Sequence, residues 1–227
     1  MPEGAVFCRV TSGKSSHYLI ESQSPQLRRP RLQPSNCHRV FPFHLPEVWV
    51  SIPRIPLPAQ VIVSVLTSRE EILPIIRPRL QERMGVIEEE MGPMDFPFTT
   101  YYDKELGPGI RRWIWSFGEL VDRAELASLK LLTNTIEQAH IADGKRKFNL
   151  DPGLLTLSNF VLATGKENAH RIYLGSGIFA DLTLIFRGGS YRPLDWTYPD
   201  YAGSEMTKIL KRLRETYKCK LRQMGLL

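Results

Sequence analysis

The chain has 227 residues, of which 42% are hydrophobic, 24% charged and 10% aromatic, a balance that excludes collagen, low-complexity disorder and disulfide scaffolds. Its 30 Lys and Arg against 24 Asp and Glu give a net charge of +6, but the excess lies in residues 1–58 and 205–222 while the middle is slightly acidic, so basicity is weak evidence for a nucleic-acid or membrane partner. No run approaches the roughly 18 apolar residues of a membrane span, and the three scattered cysteines, Cys8, Cys37 and Cys219, fit a reducing compartment, with cytoplasm as the default.

Residues 1–58 hold nine of the 17 prolines without hydrophobic periodicity, which predicts a disordered or irregular Pro/Arg/Ser-rich extension. Its composition from Arg9 to Arg39 resembles a transit peptide without an amphipathic helix, and a translation start near Val48 or Val50 is a further reading. A single α+β domain is predicted over residues 59–222. It begins with a buried strand at Val61–Thr67, followed by a helix with a Ser68/Glu71 capping box, an apolar face at Ile72, Ile76, Leu80 and Met84, and Gly85 as its stop. Pro74 and Pro78 predict that this helix is kinked or starts late. A short strand follows near Val86–Glu90, then an alternating strand at Arg111–Phe117, then a helix capped by Asp122 with its face at Leu126, Leu129, Leu132, Ile136 and Ala139.

Beyond Gly144 the pattern predicts strands at Lys147–Leu150, Leu154–Ala163, Arg171–Leu174 and Ile178–Phe186, with Asp151-Pro152-Gly153 as a turn. A C-terminal amphipathic helix carries Met206, Leu210, Leu213 and Tyr217. This order suits a ferredoxin-like sandwich, a mainly antiparallel sheet with helices packed on one face.

Gly13-Lys14-Ser15 resembles the end of a phosphate-binding loop, but Cys8 stands where the first glycine belongs. Gly175-Ser176-Gly177 is followed by a strand rather than a helix, so it reads as a hairpin turn and not a dinucleotide loop. A three-residue hairpin loop there pairs Leu174 with Ile178, Tyr173 with Phe179, Ile172 with Ala180 and Arg171 with Asp181. Alternation then places Lys147, Asn149, Thr156, Ser158, Arg171, Asp181 and Thr183 on polar sheet faces, with Asp151 between the strands and His170 beside Arg171. If these share one face they form a candidate anion or phosphate site, extended by Tyr101, Asp103 and Glu105. The bland alternative is a solvated sheet face with a cross-strand ion pair. No metal-ligand spacing emerges from His17, Cys37, His38 and His44, no cofactor is implied, and catalytic residues are not assigned.

Five blocks, Phe98-Thr99-Thr100-Tyr101-Tyr102-Asp103-Lys104-Glu105, Lys147 to Gly153, Leu162-Ala163-Thr164, His170 to Ala180 and Trp196 to Tyr201, make the chain resemble a prokaryotic family known as domain-of-unknown-function family 4416, from about Ser51 to Tyr217. Some members carry a GTP-binding label; this chain has no phosphate-binding loop and no NKxD motif, and Asp200-Tyr201-Ala202-Gly203 is a stray DxxG. The leading expectation is a cytosolic protein binding a small phosphorylated ligand or nucleotide on the polar sheet face, with enzyme activity left open. The alternative is a noncatalytic RNA- or protein-interaction module using the Trp113/Trp115 strand and the basic C-terminal helix.

Overall fold

The buried run expected at Val61 is β1 (Ala59–Thr67), every residue of which is buried. The computed structural model describes residues 51–98 and 102–227; the expectations for residues 1–50 and for Tyr101 lie outside the described residues. Just before β1 the Leu57 carbonyl accepts from Arg123 Nε at 2.9 Å and the Pro58 carbonyl from the Tyr217 hydroxyl at 2.6 Å.

A 3₁₀ turn at Glu70–Ile72 leads into α1 (Leu73–Met84). Pro74 falls in the first turn, where its missing N–H is not needed, and only Pro78 is interior. Ser68 makes no capping box; its hydroxyl donates to the Leu106 carbonyl. Gly85 ends the helix with φ +80° and donates to the Gln81 carbonyl at 3.0 Å. Then come β2 (Ile87–Asp95), the one-turn α2 (Asp103–Leu106) and β3 (Arg111–Val121). Asp122 caps the next turn as expected, accepting from the Ala124 N–H at 2.8 Å, and α3 (Leu126–Gln138) follows.

The second half is β4 (Asn149–Leu155), β5 (Asn159–Thr164), β6 (Arg171–Gly175), β7 (Ile178–Arg187), β8 (Ser190–Pro193), α4 (Pro199–Ala202) and α5 (Ser204–Gln223). The eight strands of the described residues form one antiparallel sheet in the order β2-β3-β1-β4-β5-β7-β6, with β8 also on β7. The α+β class and mainly antiparallel sheet are as expected. The helices, however, cover both faces. Ile76 and Leu80 of α1 and Leu129 and Ile136 of α3 pack with Val61, Val63, Val65, Trp115 and Phe117, whereas Met206, Leu210 and Leu213 of α5 pack on the opposite face with Ile62, Ile114, Leu155 and Leu184. The reason is in β1, whose apolar residues occupy both odd and even positions and therefore both faces.

Two local readings change. Asp151-Pro152-Gly153 is strand, not turn: it lies inside β4, opposite Ser64, Val63 and Ile62 of β1. The Leu150 N–H and C=O both point away from β1, toward side chains of α3. By alternation the N–H that Pro152 lacks would point the same way, so no β1 ladder bond is lost. The turn falls instead at residues 156–158, where the Thr156 hydroxyl accepts from the Ser158 and Asn159 N–H groups at 3.1 and 3.0 Å. The second change is in the β6–β7 hairpin. Arg171–Asp181, Ile172–Ala180 and Tyr173–Phe179 pair as expected, but Gly175, not Leu174, sits opposite Ile178. The loop is the two residues Ser176 and Gly177, both with positive φ (+53° and +75°), which matches the twist of a tight hairpin.

Candidate functional site

The site arises from a split in the sheet. β4 and β5 pair over only three residue pairs, Gly153–Leu162 to Leu155–Phe160, while β5 continues along β7 as far as Thr164–Phe179. The Asn149–Asp151 end of β4 is thus left without a strand on that side. A backbone edge buried there must find other partners, and α3 supplies them. Glu137 Oε1 accepts from the Leu150 N–H at 2.7 Å, and Lys130 Nζ donates to the Leu150 carbonyl at 2.9 Å. Lys130 and Glu137, two turns apart on α3, replace the missing strand.

A cleft of about 590 Å³ occupies this opening, lined by Asn149 and Asp151 of β4, Leu162 to Lys166 at the end of β5, Lys130 and Asn134 of α3, Arg146, Arg171, Asp181, and residues of α4 and the β2–α2 segment. Lys130 also lies 3.1 Å from Asp151 Oδ1, and Asn149 Nδ2 donates to Asp151 Oδ2 at 2.6 Å. Arg146 uses four of its five N–H groups, with two bonds to Glu105 (2.5 and 2.8 Å), one to Glu137 (2.6 Å) and one to Asn149 Oδ1 (2.9 Å). The Arg146 guanidinium holds Glu105 below the usual carboxylate range. Burial pushes Glu137 up, against the pull of Lys130, the Leu150 N–H and Arg146.

On the other wall Arg171 Nε donates to Asp181 Oδ2 at 2.9 Å, with the two side chains 5% and 9% exposed. Arg171 Nη1 donates to the Lys166 carbonyl at 2.9 Å, and Nη2 lies 3.5 Å from the Tyr198 hydroxyl. Burial opposes the Arg171 charge, but the bonds to Asp181 and Tyr198 outweigh it and raise its pKa. His170 Nε2 lies 3.3 Å from the same Asp181 oxygen, and its ring stacks on Trp196 at 5.1 Å. At the end of the cleft Arg112 is 4% exposed, flanked by the Phe96 and Tyr201 rings at 4.7 and 4.8 Å and bonded to Asp200. Its Nε and the Tyr201 hydroxyl have no hydrogen-bond partner among the described residues. Burial raises the Tyr201 phenol, as it does that of Tyr102.

Of the expected site residues, Asn149, Asp151, Arg171 and Asp181 line the cleft, with His170 behind Asp181 and Glu105 behind the lining residue Arg146. The others are elsewhere. Thr156 and Ser158 belong to the β4–β5 turn. Lys147 does not line the cleft, and its carbonyl accepts from the Thr67 hydroxyl at 2.9 Å. Asp103 is exposed on α2. Arg112, Lys130, Asn134 and Arg146 are additions. The 130/134/137 spacing is a polar helical stripe beside the apolar one and was available as a signal; nothing local marks Arg112.

The Trp113/Trp115 platform of the interaction-module reading is not exposed: Trp113 is 3% and Trp115 0% exposed. Among the described residues no helix is long and apolar enough to cross a membrane, and no cluster of His, Cys, Asp or Glu is arranged to hold a metal ion. The five blocks that carry the family resemblance all border the cleft, through Phe98 and Tyr102, Asn149 and Asp151, Leu162 to Thr164, Arg171, and Tyr198 to Tyr201. No curated protein and no solved structure matches the chain. The family profile described as domain of unknown function (DUF4416) matches residues 57–217, and the chain belongs to that family.

Proposed function

We propose that the chain binds a small phosphorylated ligand or nucleotide in the cleft between β4 and β5. The observation that carries this reading is the convergence of five cationic side chains, Arg112, Lys130, Arg146, Lys166 and Arg171, against three acidic ones, Asp151, Asp181 and Asp200, around one polar cleft. Arg146 is committed to Glu105 and Glu137, but Lys130 has a third proton beyond its two bonds, and the buried Arg112 Nε lacks an acceptor. An unpaired buried donor costs about 1–3 kcal/mol, and an oxyanion offers the acceptors that would recover it. The order β2-β3-β1-β4 with α1 and α3 as crossovers supports a ferredoxin-like core for this site, extended by β5 to β8. The cytoplasm, where phosphorylated metabolites are held, is its proposed location.

A thermal-shift panel of inorganic phosphate, pyrophosphate, sugar phosphates and nucleotides tests the reading. A binder at 100 times its Kd adds about 2.7 kcal/mol, a rise of about 5–10 °C for a unit of this size. The shift should fall away in Arg112→Met and Arg171→Lys, each compared with its own unliganded midpoint. No shift with any phosphorylated compound, or shifts unchanged in both variants, would overturn it.

A further inference from the structure

We infer that the ligand of this cleft carries a planar ring, as a nucleotide does, and that Tyr198 with Phe98 forms the ring subsite beside an Arg171 phosphate subsite. This deepens the preceding proposal and rests on it. The first observation is size. Clefts of roughly 300–1,000 Å³ hold ligands of drug or cofactor size, and about 590 Å³ is far more than a phosphate or a three-carbon phosphate fills.

The second observation is the division of labour among the aromatic side chains of the cleft. Phe96 and Tyr201 are buried and flank the Arg112 guanidinium, so their faces are already used. Phe98 and Tyr198 also line the cleft, yet they are 47% and 55% exposed. Phe98 touches Phe96 edge to face with centroids 5.6 Å apart, a contact that holds one ring against the other without stacking their faces. Large exposed aromatics at a polar mouth offer faces on which a nucleobase stacks without regard to its identity. The Tyr198 hydroxyl lies 3.5 Å from Arg171 Nη2, so a ring on Tyr198 has a cation within reach of its phosphate. Asn134 of α3 also lines the cleft and presents a side-chain amide with no hydrogen bond among the described residues, a donor and acceptor suited to a base edge or a ribose hydroxyl.

The test is titration calorimetry of the whole chain with ribose 5-phosphate, AMP, GMP and UMP. At least one nucleotide should bind ten-fold or more tighter than ribose 5-phosphate. Tyr198→Ala should abolish that preference while changing ribose 5-phosphate affinity by less than about three-fold, and Tyr198→Phe, which keeps the ring, should retain it. Both positions are exposed, and an unchanged melting midpoint verifies folding. Ribose 5-phosphate binding as tightly as every nucleotide, or a preference that survives in the Tyr198→Ala/Phe98→Ala double variant, overturns the ring subsite alone. Absence of binding by all four compounds overturns the phosphate site beneath it as well.

Discussion

Glu137 is the residue on which the open edge of β4 depends, and Glu137→Leu isolates that dependence. The substitution puts an apolar side chain of similar size on α3 and removes the acceptor of the Leu150 N–H, at 2.7 Å, and one partner of Arg146, at 2.6 Å. A buried donor left unsatisfied costs about 1–3 kcal/mol, and breaking a buried ion pair about 3–5 kcal/mol. Arg146 retains both bonds to Glu105, which places the sum at the lower end of the combined range, at about 4 kcal/mol. Glu137→Gln keeps an acceptor for Leu150 and loses only the charge-assisted bond, so it should cost about 1–2 kcal/mol. Leu131→Ala, at a position 41% exposed on the same helix, is the control and should stay within about 0.5 kcal/mol. Urea unfolding reads all three as midpoint shifts at constant slope. If Glu137→Leu costs under 1 kcal/mol, or Gln proves as damaging as Leu, the side chains of α3 are not substituting for a strand.

Because Arg171 and Asp181 are nearly buried, a double-mutant cycle should give a coupling above about 1 kcal/mol, where an exposed pair would show a few tenths. Arg146 lowers the Glu105 carboxyl, so the Glu105 contribution is full above the ordinary carboxylate range and lost as pH falls through its lower folded value; Glu105→Gln should be less stable than wild type at pH 7, with the gap closing in acid melts. Ser176→Asn should raise stability by about 0.5–1 kcal/mol in thermal melts, since φ is +53° there and Asn tolerates that region better than Ser. Gly153→Ala should cost 2 kcal/mol or more by urea unfolding, roughly what overpacking and a backbone shift require, because its Cβ would fall 2.9 Å from both the Phe160 ring and the Val161 carbonyl oxygen.

The parts of the site that could be read ahead of the structure are those governed by local rules. Hairpin arithmetic from Gly175-Ser176-Gly177 placed Arg171 opposite Asp181 although the loop is one residue shorter than supposed, because the Leu174 irregularity absorbs the difference. The apolar stripes of α1, α3 and α5 were legible from spacing alone. The split sheet was not. Asp151-Pro152-Gly153 has turn composition, and Pro152 is tolerable in a strand because β5 pairs with β4 only from Gly153 onward and leaves no strand neighbour on the side its missing N–H would face, a condition set by where β5 diverges. That misreading moved Thr156 and Ser158 into a strand when they form the turn. Arg112 is buried between Phe96 and Tyr201 and bonded to Asp200, partners from distant parts of the chain that no spacing reveals. Helices on both faces followed from β1 being apolar at every parity, a feature visible in Val61 to Leu66 once both faces are considered.

The most direct measurement is amide chemical-shift mapping of the uniformly labelled protein on titration with the best ligand of the nucleotide and phosphate panel. The account predicts perturbations concentrated at Asn149 to Gly153, Leu162 to Lys166, Arg171, Asp181 and Tyr198 to Tyr201, around the opening between β4 and β5. Perturbations confined to the exposed lysines and arginines of α5, with the cleft amides unmoved, would contradict it.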